Sequence, residues 1–173
     1  MREEVDAERV RLFMRELGSV SDGDGTCFLA GGTTAVLVGW RATTVDVDIR
    51  LEPEQDEILR ALPEIKQRLR INVELATPAD FIPLPEGWRE RSPSAGREGN
   101  LTFLHFDPYS QTLAKLERAH ARDLEDVQAM IERGLVDRER LAAMFDEIEP
   151  ELYRFPAIDP PSFRRRVEDA TRG

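Results

Sequence analysis

Hydrophobic and polar positions change period several times along the chain, and each change predicts an element. Val5, Val10, Leu12, Phe13 and Leu17 fall on one side of a helix whose other side carries Glu3, Glu4, Arg9, Arg11 and Arg15, with Gly18 as its expected stop. The polar loop Ser19 to Thr26, with Asp22-Gly23-Asp24 as turn formers, leads into a short buried strand, Cys27-Phe28-Leu29-Ala30, which two glycines end. Thr33 to Gly39 reads as a short buried helix closed by Gly39, and Thr44 to Leu51 alternates strictly as the clearest strand. Glu54 to Arg70 is helical, with Ile58, Leu59, Leu62 and Ile65 on its apolar side and Pro63 expected to bend or break it. Ile71 to Leu75 alternates again as a strand.

From Pro78 to Gly99 the pattern dissolves, with prolines and glycines punctuating several arginines, and a surface loop is expected. Leu101 to Phe106 is a further strand, and Asp107-Pro108 marks a turn before one long helix from about Ser110 to Arg133, capped by Gly134. An amphipathic helix over Arg138 to Ile148, a proline-rich connector over Pro150 to Pro161 and a charged helix over Ser162 to Ala170 complete the chain. This order predicts an α+β fold, a small mixed sheet flanked by helices. Residues 1–109 would form the α/β core and residues 110–173 a helical part packed on it, in a single folding unit.

Composition narrows the function classes. With 40% hydrophobic and 34% charged residues in 173 positions, the chain is globular rather than disordered. A net charge of -10 weighs against a broad basic face for nucleic acid, so a tRNA acceptor would need a local basic patch. A nucleotide carried with a metal ion is easily accommodated. The lone Cys27 lies in an apolar run and is expected to be core. The first residues lack a signal-peptide apolar region and no stretch reaches the ~20 apolar residues of a membrane span, which predicts a cytoplasmic protein away from membranes.

The candidate chemistry begins at the clearest strand. Side chains alternate between faces, so Asp46, Asp48 and Arg50 project to one side and Val45, Val47 and Ile49 to the other. Adjacent carboxylates repel unless a cation lies between them, and Mg²⁺ takes hard oxygen ligands and shares them with phosphates. The wet face of a half-solvated strand gives the same alternation. Asn72 and Glu74 alternate in the same way, so a neighbouring strand would bring Glu74 toward the aspartates as a third carboxylate, unless Glu74 is merely solvated. Gly31-Gly32 follows a strand and opens a helix, where bare backbone lets phosphate approach N–H groups, and Thr33 and Thr34 add hydroxyls; a tight turn is the plainer reading.

Ala30-Gly31-Gly32, thirteen residues, then Asp46-Val47-Asp48-Ile49 resembles the signature of the DNA polymerase β-like nucleotidyltransferase superfamily. The fuller run of Gly31-Gly32-Thr33-Thr34-Ala35, Arg41, Thr44 and Asp46-Val47-Asp48 is similar to its small prokaryotic branch, which includes AbiEii-type toxins and DUF6036 proteins. Lys115-Leu116-Glu117-Arg118 followed by Arg122-Asp123-Leu124-Glu125-Asp126-Val127 is similar to the basic helix of that branch. The resemblance implies metal ligation by Asp46 and Asp48 with Mg²⁺ and an NTP substrate, and Glu74, if strand pairing brings it near, would ligate a second Mg²⁺ ion or act as base. It also implies Lys115 as a catalytic cation, and nucleotide contacts from Gly31, Gly32, Thr33, Arg41, Arg118, Asp123 and Asp126.

On a single helix Lys115, Arg118, Arg122 and Asp126 line one stripe, Leu113, Leu116, Leu124, Val127 and Ile131 form the buried side, and Asp123 lies at the border. Asp126 would then be ~16 Å from Lys115 along the axis, so one small group would not touch both, and Asp123 or Asp126 would orient a basic side chain or contact base or acceptor. A solvated charged stripe is the plainer alternative. His105 and His120 are expected to be packed or hydrogen-bonded rather than catalytic, Trp40 buried, and Trp88 available to a ligand, with Arg89, Arg91 and Arg97 around it.

These features point to a Mg²⁺-dependent transfer of a nucleoside monophosphate from an NTP to an unknown hydroxyl-type acceptor, whether small molecule, protein or RNA. The alternative is an inactive nucleotide-binding or regulatory protein of the same fold, such as a toxin-antitoxin component with a cognate antitoxin or regulatory partner.

Overall fold

The structure, a computed structural model, describes residues 3–173. The chain divides into two compact units, one holding residues up to Thr77 together with Pro93–His105, the other Pro78–Ser92 and Phe106–Gly173.

The first unit opens with β1 (Val5–Asp6) and α1 (Ala7–Val20), whose N-cap Asp6 accepts a hydrogen bond from the Arg9 amide. The helix does not stop at Gly18. A side chain there would collide with the backbone of Glu98, its Cβ lying 2.7 Å from the Glu98 carbonyl carbon, so the glycine serves a close approach within the helix. Next come β2 (Gly25–Ala30), α2 (Gly32–Val38), β3 (Thr43–Thr44), β4 (Asp46–Glu52), α3 (Asp56–Leu69), β5 (Asn72–Glu74), β6 (Ser94–Glu98) and β7 (Leu101–His105). Pro63 lies inside α3, which runs on past it.

The main sheet has the order β5-β4-β2-β7-β6, and β1 pairs separately with β3. It is mixed: β2 runs antiparallel to β4 and parallel to β7, β4 runs parallel to β5, and β6 runs antiparallel to β7. Leu29, Ile49, Val47 and Phe103 project from one face into a core completed by Phe13 and Leu17 of α1 and Ile58 and Ile65 of α3. Burial of each such side chain contributes about 1.5–3 kcal/mol. Cys27 is part of this core, and burial pushes its thiol well above the usual range, as expected of a packing residue. The edge strand β6 interrupts the expected loop. Ser94-Ala95-Gly96-Arg97-Glu98 has no apolar alternation to announce it, and its ladder is irregular between Ser94 and Gly96.

The second unit is helical, comprising α4 (Pro108–Arg118), α5 (Ala121–Glu132), α6 (Arg138–Ile148) and α7 (Pro160–Thr171), with 3₁₀ turns at Pro78–Asp80 and Glu149–Arg154. The single helix expected from Ser110 to Arg133 is two helices. Ala119 is left-handed at φ 54°, its N–H closes on the Lys115 carbonyl, and α5 starts afresh at its N-cap His120. Phe145 and Phe163 pack edge to face at 4.9 Å between ring centres, joining α6 to α7. Among the described residues no helix is long and apolar enough to cross a membrane.

Candidate functional site

Alternation along β4 is complete, with Val47, Ile49 and Leu51 buried and Asp46, Asp48 and Arg50 half-buried on the opposite face. The parallel register of β5 sets Asn72 beside Asp46 and Glu74 beside Asp48. Residues in register on neighbouring strands share a face, so three carboxylates stand on one side of the sheet. The amide of Asn72 ties two of them together, its Nδ2 lying 2.7 Å from Asp46 Oδ1 and 3.3 Å from Glu74 Oε1. One amide nitrogen carries two protons and so serves both acceptors. No sequence reading singled out this role for Asn72, because it depends on strand register.

The glycines are locked to the same carboxylates. Gly31, the N-cap of α2, has φ 63° and ψ -137°, a conformation that favours glycine. A β-carbon on it would lie 2.5 Å from Asp48 Oδ2. One on Gly32 would overlap Thr44 Oγ1 and stand 3.0 Å from an Arg41 guanidinium nitrogen. Gly31, Gly32, Arg41, Thr44 and Asp48 thus share one small volume. Thr33 brings a buried hydroxyl with no hydrogen-bond partner into the first turn of α2.

This donor set fits Mg²⁺, which takes one or two carboxylates and completes its shell with water and phosphate oxygens. Asp46 and Asp48 would supply the carboxylates, next to the bare backbone of Gly31. Among the described residues no three Asp, Glu, His or Cys side chains converge as a cage. Glu74 meets Asp46 through the Asn72 amide instead.

The second unit holds Lys115, Arg118, Asp123 and Asp126. Because Ala119 folds the chain back, Lys115 Nζ lies 2.8 Å from Asp126 Oδ2, which corrects the ~16 Å expected for one continuous helix. Asp123 receives two hydrogen bonds from Arg118, at 2.8 and 2.6 Å, and one from the His120 amide at 3.1 Å. Lys115, Asp123 and Asp126 are buried and Leu124 is exposed, so this is an interhelical ion-pair cluster rather than a solvated stripe. Burial alone would raise the Asp123 carboxyl. The Arg118 hydrogen bonds and charge, with Lys115 and the His120 amide, outweigh it and hold the group below the usual carboxylate range.

Other side chains are also committed within their units. Trp88 stacks on Phe106 at 4.6 Å between ring centres with Arg89 over its ring, and Arg91 makes two hydrogen bonds to the buried N-cap Asp107. Trp88 and Arg91, expected to meet a ligand, therefore fasten the Pro/Gly segment. Arg97 donates to Thr102. Trp40 is half-buried. His105 is buried with Nδ1 3.1 Å from Thr34 Oγ1, whereas the His120 side chain is exposed rather than packed, because residue 120 caps α5 instead of lying mid-helix.

A mixed five-stranded sheet flanked by helices, bearing an Asp-x-Asp strand against a Gly-Gly turn, has the form of a nucleotidyltransferase-like fold. The chain belongs to DUF6036, a family described as nucleotidyltransferase of unknown function, whose model matches residues 8–157. No curated protein and no solved structure matches the chain.

Proposed function

We propose that the protein is a Mg²⁺-dependent nucleotidyltransferase that moves a nucleoside monophosphate from an NTP to a hydroxyl-type acceptor and releases pyrophosphate. The observation that carries this reading is the approach of Gly31 to Asp48, a β-carbon there lying 2.5 Å from Oδ2, which puts the phosphate-permissive turn against the metal-competent carboxylates. When bound, Mg²⁺ supplies charge neutralisation for the triphosphate and for the leaving pyrophosphate. Asp46 and Asp48 provide its hard oxygen ligands. Gly31 and Gly32 let phosphate oxygens reach backbone N–H groups, and the Thr33 hydroxyl, without a protein partner, is a further donor.

Glu74, oriented through Asn72, takes the proton of the acceptor hydroxyl. The acceptor oxygen forms a bond to the α-phosphorus while the bond from that phosphorus to the bridging α–β oxygen breaks, and the electron pair leaves with pyrophosphate. This reading uses first-unit residues alone; Lys115, Arg118, Asp123 and Asp126 keep the fastening role their hydrogen bonds describe.

The test is labelling of an acceptor panel, small molecules, protein and RNA, with α-³²P NTPs. Asp48→Asn should abolish transfer and leave the fold intact, and equal labelling by wild type and variant would overturn the assignment.

A second reading is a nucleotide-binding or regulatory protein without turnover, such as a toxin-antitoxin component. It is favoured by the bridging of Asp46 and Glu74 by an amide where a third metal ligand would serve two-ion catalysis. Under it, Mg²⁺ with one of ATP, CTP, GTP or UTP raises the melting temperature while no acceptor is labelled.

A further inference from the structure

We propose a second binding site, on the opposite face of the sheet from Asp46 and Asp48, for a small phosphorylated ligand bearing a free hydroxyl. Arg11 and Arg15 grip its phosphate and His105 Nε2 accepts a hydrogen bond from its hydroxyl. This site is independent of the nucleotidyltransferase reading.

An open pocket of about 410 Å³ lies within the first unit, lined by Arg11, Met14 and Arg15 of α1, Ser94 and Glu98 of β6, and His105 at the end of β7. Its size is that of a small-molecule site. His105 is in register with Leu29, whose side chain belongs to the core, so it shares the face of Val47 and Ile49 while Asp46 and Asp48 alternate to the other.

The hydroxyl of Thr34 lies between the Leu29 carbonyl and the His105 ring. When the one proton of Thr34 Oγ1 goes to the Leu29 carbonyl, 3.3 Å away, the 3.1 Å contact with His105 is made by the ring Nδ1–H, and this is the tautomer the proposed site uses. In that tautomer Nε2 is the acceptor, on a residue only 8% exposed that lines the pocket. Burial holds the ring in its neutral form by pushing its pKa down. An imidazole acceptor in a pocket lining can be matched by a ligand O–H or N–H.

The other half of the recognition is cationic. Arg11 and Arg15 are one helical turn apart on α1, and neither has an ion-pair or hydrogen-bond partner for its guanidinium among the described residues. Their planar forks suit the bidentate geometry of phosphate oxygens. Glu98 in the same lining repels a ligand that is anionic throughout and accepts from hydroxyls, which selects a phosphate attached to a polyol.

The probe is ribose 5-phosphate, titrated without Mg²⁺ and with EDTA into full-length protein labelled with ¹⁵N-histidine. The imidazole nitrogens are read by long-range ¹H–¹⁵N correlation, with the exposed His120 as internal reference. A saturable shift at His105 Nε2 is expected. It should be weakened about tenfold or more in Arg11→Gln/Arg15→Gln, since each lost charged hydrogen bond carries roughly that factor, and unchanged in Asp48→Asn. Both arginines are exposed, so the double variant should keep the ligand-free imidazole spectrum of wild type. Should that spectrum change, Arg11→Lys/Arg15→Lys, which keeps charge but not the fork, must bind more weakly than wild type. The proposal is overturned by an absent shift, by full binding in the arginine variants, by an equal response to ribose or to inorganic phosphate, or by loss of binding in Asp48→Asn.

Discussion

A β-carbon on Gly31 would lie 2.5 Å from Asp48 Oδ2, so the turn after β2 and the carboxylate on β4 compete for one volume. Gly31→Ala should therefore do two things. The strained backbone at φ 63° costs about 1–3 kcal/mol of stability, and displacement of Asp48 removes any Mg²⁺-dependent stabilisation by nucleotide. Gly39→Ala is the control, because Gly39 has φ 116° but open space around its α-carbon. It should lose stability and keep the nucleotide response. Equal responses in the two variants, measured by thermal melts with and without Mg²⁺ and NTP, would show that the contact is incidental.

Asn72 offers a sharper probe of the carboxylate face. Its amide, donating to both Asp46 and Glu74, offsets part of their mutual repulsion. Asn72→Asp replaces that donor with a third charge of similar shape. Without divalent ions the variant should be less stable than wild type by on the order of 1 kcal/mol, and Mg²⁺ should restore more stability to it than to wild type. Melts across a Mg²⁺ series, with Ca²⁺ as comparison, read both effects. A variant as indifferent to Mg²⁺ as a surface Asn→Asp change would place the cation elsewhere.

What could be read from the chain alone follows from which forces act locally. β4 is legible because alternation of Asp46 to Leu51 is a local signature of a strand with one face buried. Gly31-Gly32 is legible as a turn, yet its collision with Asp48 and Thr44 is not, because that depends on how β2 and β4 lie side by side. The bridging by Asn72 is hidden for the same reason. β6 escapes because an edge strand of small and charged residues buries too little to show a period. Ala119 misleads most directly. Alanine is the best helix former, and here it takes a left-handed conformation costing roughly 1–2 kcal/mol, so a gain outside the local sequence must offset it. That gain includes the pairing of Lys115 and Arg118 on α4 with Asp126 and Asp123 on α5.

The Asp123 carboxyl links this pairing to pH. Its folded pKa lies below its unfolded value, so the stability it contributes is fully present above the unfolded value near ~3.9 and is lost as pH falls through the lower folded value. Arg118→Gln returns the folded pKa toward the unfolded one, and Asp123→Asn removes the titration. Both should flatten the acid limb of a stability-versus-pH curve measured by urea denaturation between about pH 2 and 5, relative to wild type. The half-exposed guanidinium of Arg118 is screened by water, so the effect should shrink with added salt. An acid limb unchanged in Asp123→Asn would assign the acid sensitivity to other carboxylates.

Lys115 and Asp126 form the buried core of the α4–α5 connection, with side chains 7% and 1% exposed and 2.8 Å apart. Removing one partner strands the other in a poorly hydrated place, whereas removing both lets apolar packing take over. Lys115→Met should therefore destabilise by about 3–5 kcal/mol, since the Asp126 carboxylate loses its ammonium counter-charge. Lys115→Met/Asp126→Leu should recover most of that loss, because desolvation of two charges is no longer required and the added side chains bury apolar surface in the buried α4–α5 contact. Asp123 complicates the cycle, standing 3.9 Å from Lys115, so its own acid limb should also move in Lys115→Met. Urea midpoints for the two single variants and the double variant give the coupling. If the double variant is as unstable as the sum of the singles, the ion pair is not what holds α5 against α4, and the left-handed turn at Ala119 must be supported by the surrounding apolar contacts instead.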